Sequence, residues 1–208
     1  MPNLAPNTRT AELPFVRLMS RSHLAIGLSF LALYVLLDWV SYVNPFGAFG
    51  ITPWNPQTGL SFALILLFGY RFVLWPPVAL FASDILVRDL ALPWGAELLV
   101  VFIVGSVYGA AALFLRSSRV GFDPTLSSRP SLLLLMGVAT PAIALVAAGH
   151  ALVLWLYGII QPDSLREVAL RAFVGDLIGV MVFTPFLLIA FSRRRFPAVL
   201  RRKSHGLR

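Results

Sequence analysis

Six apolar runs, nearly free of charge, fix the solvent of this chain. They cover residues 24–43, 59–68, 72–87, 95–115, 132–157 and 168–191, and most approach or exceed the roughly 20 residues a helix needs to cross a hydrocarbon core. Only 12% of the residues are charged, where a soluble domain carries about 25%. The fold expected is therefore all-α, a polytopic transmembrane helical bundle of about six spans. The second run is short. With the third it reads as a tight helical hairpin broken at GYRF, its first helix starting near Trp54.

The basic residues orient these spans. If the N-terminus is inside and six spans alternate, 14 of the 17 Lys and Arg fall on the inner side, leaving only Arg88, Arg166 and Arg171 outside. Such a bias predicts an N-in, C-in topology. It divides the chain into a cytoplasmic N-terminal arm (1–23), a transmembrane domain (24–192) and a basic cytoplasmic tail (193–208). The arm is expected to be retained, because the first run exceeds a signal core and no A-x-A site follows it. The net charge of +8 is explained by anionic headgroups of the lipid bilayer gripping the tail. No nucleic-acid partner is implied, since no folded reading head accompanies the tail.

The acids distribute the other way. Only Glu12 and Asp123 fall inside, and the loop VNPFGAFGITPWNPQTG, uncharged and rich in Pro, Gly and aromatics, suits an outer interfacial cap. Asp38, Asp84, His150 and Asp176 lie within predicted spans, where ionisable groups are expensive and mark functional candidates. At about 1.5 Å per residue, Asp38 and Asp84 sit within two turns of the outer helix ends, and His150 and Asp176 roughly 10–15 Å below them. A polar cavity opening outward would account for all four.

Each has a plainer reading beside the functional one. Arg88 follows Asp84, and Arg171 follows Glu167, at the i, i+4 spacing of a helix-face pair. Asp38, close to the interface, can reach headgroups. His150 is either a buried hydrogen-bonding group or a ligand or proton sensor; a lone His can also ligate a haem or pigment, although no second ligand accompanies it. Asp176 has no partner at i, i+4 in its own helix and ranks first for function. Its expected partner is on another helix, with His150 at compatible depth and Arg71 too far toward the inner face. Gly105-x-x-x-Gly109 and Gly175-x-x-x-Gly179 predict close helix approach within the chain. Pro141 and Pro185 should kink their helices and free carbonyls, with Thr140 and Thr184 beside them.

Catalytic patterns are absent from the sequence: there is no HExxH, GxSxG or nucleotide loop. An intramembrane aspartyl protease would need YD and GxGD contexts, whereas here Ser83 precedes Asp84 and Phe173 stands where the first Gly of GxGD belongs. With no cysteine there is no disulfide, thiolate metal site or Cys nucleophile. The expectation is a non-enzyme with no cofactor and no metal.

Two segments carry a family resemblance. The stretch WNPQTGLSFALILLFGYRFVLWPPVALFASDIL, residues 54–86, has a Trp-x-Pro-x-x-Gly opening, an apolar run, a Gly-x-Arg turn and a Trp-Pro restart. The stretch GDLIGVMVFTPFLL, residues 175–188, has Gly-Asp-x-x-Gly and Thr-Pro. Together they resemble the membrane-associated sensor domains of the first MASE class over roughly residues 24–192. The family-like positions are Trp54, Pro56, Gly59, Gly69, Arg71, Asp176, Gly179 and Pro185. The resemblance implies a multi-pass input domain of the bacterial inner membrane that relays an outer-side or membrane signal to a cytoplasmic kinase or cyclase output module.

The signal-site candidates are then Asp176, His150, Asp84, Trp54 and Arg71, on a framework of Pro56, Gly59, Gly69, Gly179 and Pro185. A second reading, of a different class, is a non-catalytic structural or accessory subunit of a larger membrane complex, respiratory or photosynthetic, since a shared fold does not fix function.

Overall fold

The computed structural model describes residues 21–42, 54–90 and 92–195. Most of the predicted N-terminal arm, most of the outer loop and the end of the basic tail lie outside these residues. Among the described residues the chain is entirely helical. In order come α1 (Arg21–Ser41), α2 (Pro56–Phe68), a 3-10 turn (Tyr70–Phe72), α3 (Trp75–Leu86), α4 (Trp94–Arg116), α5 (Arg129–Leu156), a second 3-10 turn (Pro162–Ser164), α6 (Leu165–Ile178), a π-turn (Gly179–Phe183) and α7 (Thr184–Arg195). Helix α6, the π-turn and α7 follow one another without a gap.

Among the described residues four segments are long and apolar enough to cross a membrane: α1, α4, α5 and the run from Pro162 to Phe191. Their outer faces are apolar, with Leu36, Trp39, Phe102, Leu133 and Phe186 all exposed, as lipid rather than water would require. Prolines set several helix starts: Pro56 in α2, Pro76 in α3 and Pro130 in α5 all occupy the first turn, where the missing N–H has no intrahelical partner to lose.

The hairpin broken at GYRF is present. Helices α2 and α3 have 13 and 12 residues, about 20 Å each at 1.5 Å per residue, so neither has the length of a full span. Their difference lies in surroundings. Residues Pro56 to Leu66 of α2 are buried on every face, because α2 packs against α1, α4, the π-turn and α7 at once. It is the central post of the bundle. At its far end Gly69 adopts φ 90°, a conformation that favours glycine, and the Arg116 guanidinium lies against it. Arg116 Nη1 donates to the Leu66 carbonyl at 2.5 Å, which with the Gly69 N–H donating to the Ile65 carbonyl at 2.8 Å satisfies two of the last carbonyls of α2.

Glycines set the closest approach, within the chain as their spacing predicted. A Cβ on Gly59 would collide with the Gly179 carbonyl, and a Cβ on Gly179 with the Asn55 carbonyl. A Cβ on Gly105 would lie 2.9 Å from the Pro77 ring, and one on Gly109 would press on the Val73 side chain. Pro185 has no N–H for the preceding turn, and the backbone just before it widens into the π-turn, a usual accommodation of a broken ladder. Thr184 does not mend its own helix. Its Oγ1 donates across to the Gly59 carbonyl at 3.0 Å, which ties the start of α7 to α2. Pro141 lies inside α5 without ending that helix.

Candidate functional site

The end of α1, the start of α2, the end of α3, the first half of α4, the end of α5 and the second half of α6 meet around a cavity of about 90 Å³. Its polar walls form two hydrogen-bonded clusters.

The first is built on Asp38. This carboxylate is 1% exposed, and both its oxygens are occupied. Oδ1 accepts from Gln57 Nε2 at 2.8 Å and from Arg88 Nη2 at 2.7 Å, while Oδ2 accepts from Ser83 Oγ at 2.7 Å. Arg88 also pairs with Asp84 at 3.2 Å, through Nη1. The expectation that Asp38 reaches the headgroups is corrected here. An interfacial position along the helix axis does not say which way the residue faces, and α2 and α3 stand where lipid would otherwise be. The predicted i, i+4 pair of Asp84 and Arg88 forms, but as one edge of a three-membered ionic group. Arg88 lies outside α3, in a turn that places Asp89 and Leu90 at φ 52° and 51° and directs the chain back so that the Leu90 N–H donates to the Asp84 carbonyl at 2.8 Å.

The second cluster is built on Asp176 of α6. Oδ1 accepts from Asn55 Nδ2 at 2.9 Å and Thr58 Oγ1 at 2.7 Å, and Oδ2 accepts from the Tyr108 hydroxyl of α4. The Asn55 N–H donates to the Gly175 carbonyl at 3.1 Å. One carboxylate thus holds the start of α2, the middle of α4 and α6 together, and three donors offset its desolvation. The expected pairing with His150 is not made. His150 borders the same cavity, but α2 inserts its polar first turn into the position facing Asp176.

Of the predicted signal-site residues, Asp176, Asp84 and His150 come together on the cavity wall. Trp54 and Arg71 do not. Trp54 is half exposed and packs its ring on Phe183 at 5.8 Å. Arg71 is exposed on the 3-10 turn and stacks over Tyr70, at the opposite end of α2 from Thr58. The framework positions line the contact between α2 and the π-turn rather than the cavity: Pro56 opens α2, Gly59 and Gly179 touch, and Pro185 follows the π-turn. Gly69 lies at the far turn.

Sequence reading missed Asn55, Gln57, Thr58, Tyr108 and Glu97. The first three lie in WNPQTG, whose uncharged polar residues look like loop until they are seen to begin a buried helix. Glu97 is 1% exposed, and its carboxyl lies within hydrogen-bonding reach of Asp84. Glu167 and Arg171 pair on an exposed face of α6 at 2.7 Å, a contact worth at most about 1 kcal/mol. Among the described residues no three His, Asp or Glu side chains converge to hold a metal ion.

A family model, MASE1, matches residues 22–205, most of the chain. The chain belongs to the MASE1 family. MASE1 is a family of membrane sensory domains, an input rather than a catalytic class. No curated protein and no solved structure matches the chain. Both segments that carry the MASE1 resemblance, 54–86 and 175–188, contribute to one contact, the first turn of α2 against α6 and the π-turn.

Proposed function

We propose that this MASE1 chain is the sensory input module of a bacterial inner-membrane signalling system, crossing the bilayer six times with both termini inside. Its outer-half cavity receives the stimulus, and the rod of α6, the π-turn and α7 carries the change in packing to the cytoplasmic side. There the basic tail engages a kinase or cyclase output module. Supporting the six-span reading, polar and ionisable groups from six helices, Gln57 and Thr58 of α2 among them, gather at one end of the bundle, as alternation of the spans requires. The 14 to 3 division of basic residues favours that end as the outer one.

The observation that carries the reading is the seat of Asp176. A buried acid with three donors from two other helices sits one turn ahead of a π-turn, a local distortion that recurs at functional sites. A ligand or proton that redistributes those donors alters the grip of α2 on α6, and α6 is continuous with α7. Signalling needs two packings of comparable free energy, and a site whose polar contacts can be re-partnered provides them.

The test replaces the chain in its own host by Asp176→Asn or Trp54→Ala variants. Response-regulator phosphorylation and cyclic dinucleotide levels are then measured. Normal amounts of folded, membrane-inserted protein with lost or locked output are expected. Unchanged output in both variants refutes the site assignment. Stoichiometric co-purification with a respiratory or photosynthetic complex, with no effect on signalling, would replace the sensory reading by that of an accessory subunit.

A further inference from the structure

The cavity is unbalanced in charge. Among the described residues, Asp84, Glu97 and Asp176 border it, with Asp38 immediately behind, against the guanidinium of Arg88 and the imidazole of His150. Allow one proton to be shared between the adjacent carboxyls of Asp84 and Glu97, and allow His150 to be charged. Three negative charges then face two positive ones. One negative charge remains uncompensated at a depth where water is scarce, which is strongly unfavourable unless a cation or further protons answer it.

Hydrogen bonding narrows what that cation is. Gln57 is 4% exposed and its Nε2 is committed to Asp38. The amide cannot be turned over, because that would set its oxygen against an acceptor-only carboxylate. Its Oε1 is therefore a fixed acceptor, buried on the cavity wall and without a partner among the described residues. Glu97 Oε1 is likewise buried, and among the described residues no N–H or hydroxyl group donates to it. Two buried acceptors beside an excess of negative charge call for a ligand that brings N–H donors and a positive charge.

The available space, about 90 Å³, holds the equivalent of about six waters at roughly 15 Å³ of such volume each, so the ligand is small. A divalent metal does not suit the site, since no three acidic or imidazole groups converge there among the described residues. Tyr34, Val100, Val104 and Val146 close the rest of the wall with apolar surface and rings, suited to a short alkyl chain behind the charged head.

We propose that this cavity is a binding site for a small organic ammonium ion, its N–H groups donating to Glu97 and Gln57 Oε1 and its charge answered by the Asp84 and Glu97 carboxyls. The proposal rests on the cavity being the sensory site, and it names the chemical class of the stimulus.

Binding can be tested without signalling. The full chain in nanodiscs of uncharged phosphatidylcholine is titrated at constant ionic strength, tetramethylammonium chloride being replaced stepwise by methylammonium chloride, with thermal unfolding and tryptophan fluorescence as readouts. Tetramethylammonium has the charge but no N–H donor. A saturable rise in the unfolding midpoint is expected with methylammonium. Sodium chloride in its place should give no such rise, and neither should exchange of chloride for acetate. Glu97→Gln keeps the shape and loses the charge, so it should weaken the apparent affinity at least about tenfold. The proposal is overturned by the absence of any saturable shift with methylammonium, by an equal shift with sodium, or by undiminished affinity in folded Glu97→Gln. The wild-type ion series decides the matter even if that variant does not fold. If no amine binds while Asp176→Asn still silences the output, this inference fails and the sensory reading stands.

Discussion

Replacing Gly179 by alanine tests the contact on which the bundle closes. The added Cβ would lie far inside van der Waals contact with the Asn55 carbonyl and close to Pro56 N. These are backbone atoms, so no rotamer change relieves the clash and the start of α2 must retreat. Overpacking of this kind costs about 1–3 kcal/mol. The retreat also stretches the Asn55 N–H bond to Gly175 and the Asn55 and Thr58 bonds to Asp176. Leaving a buried carboxylate short of donors adds roughly 1–3 kcal/mol. Against this, alanine returns about 1 kcal/mol of helix propensity. The balance is a destabilisation of about 3 kcal/mol.

Gly137→Ala is the control, because nothing lies within 4 Å of its Cβ in the middle of α5. That change should be neutral or stabilising by up to about 1 kcal/mol. Both variants are measured by SDS titration in mixed micelles, following helicity and the fluorescence of the five tryptophans. Stabilities of Gly179→Ala and Gly137→Ala within about 0.5 kcal/mol of each other, below the size of any single contribution above, would refute the close-approach argument. Gly59→Ala should fall in the same class, and combining it with Gly179→Ala should be non-additive because the two positions share one contact.

Three further outcomes are expected. Arg88→Met leaves Asp38 and Asp84 buried without their cation and should cost about 3–5 kcal/mol in the same titration, with part recovered when Asp38→Asn is added. Arg116→Met uncaps Leu66 and should cost about 2 kcal/mol, within the range for a hydrogen bond from a charged group, with faster amide exchange in the last turn of α2. The chain has no cysteine, so single substitutions report topology cleanly. Ser118→Cys, between α4 and α5, should react with an impermeant maleimide only in opened vesicles, and Gln161→Cys, between α5 and α6, from the outside of intact cells; the reverse pattern would invert the orientation.

Helix positions were legible in the sequence to within a few residues, since lipid as solvent demands apolar length and the chain supplies it in blocks. The break at Gly69 and the close approach at Gly179 were legible too, because only glycine satisfies such demands cheaply. Asp176 stood out as the deepest acid without a local partner. The identity of its partners did not, because depth along a helix axis fixes height in the membrane and leaves azimuth free. His150 has a suitable height but does not bond to Asp176, whereas Asn55 and Thr58, which read as loop, do. Asp38 shows the same limit: close to a helix end in sequence, yet enclosed by Gln57, Ser83 and Arg88.

What the sequence determines by itself is the solvent, the all-helical class and the lengths of the segments, because these follow from the free energy of placing each stretch in hydrocarbon and are nearly additive along the chain. The tertiary structure alone decides that the short helix α2 is the centre of the bundle, and that WNPQTG is a polar plug rather than a cap. It alone brings acids from α1, α3, α4 and α6 around one cavity beside Arg88. Those outcomes depend on which helix faces meet, a matter of pairwise packing and hydrogen bonding between residues as far apart as Thr58 and Asp176, and no local pattern records it.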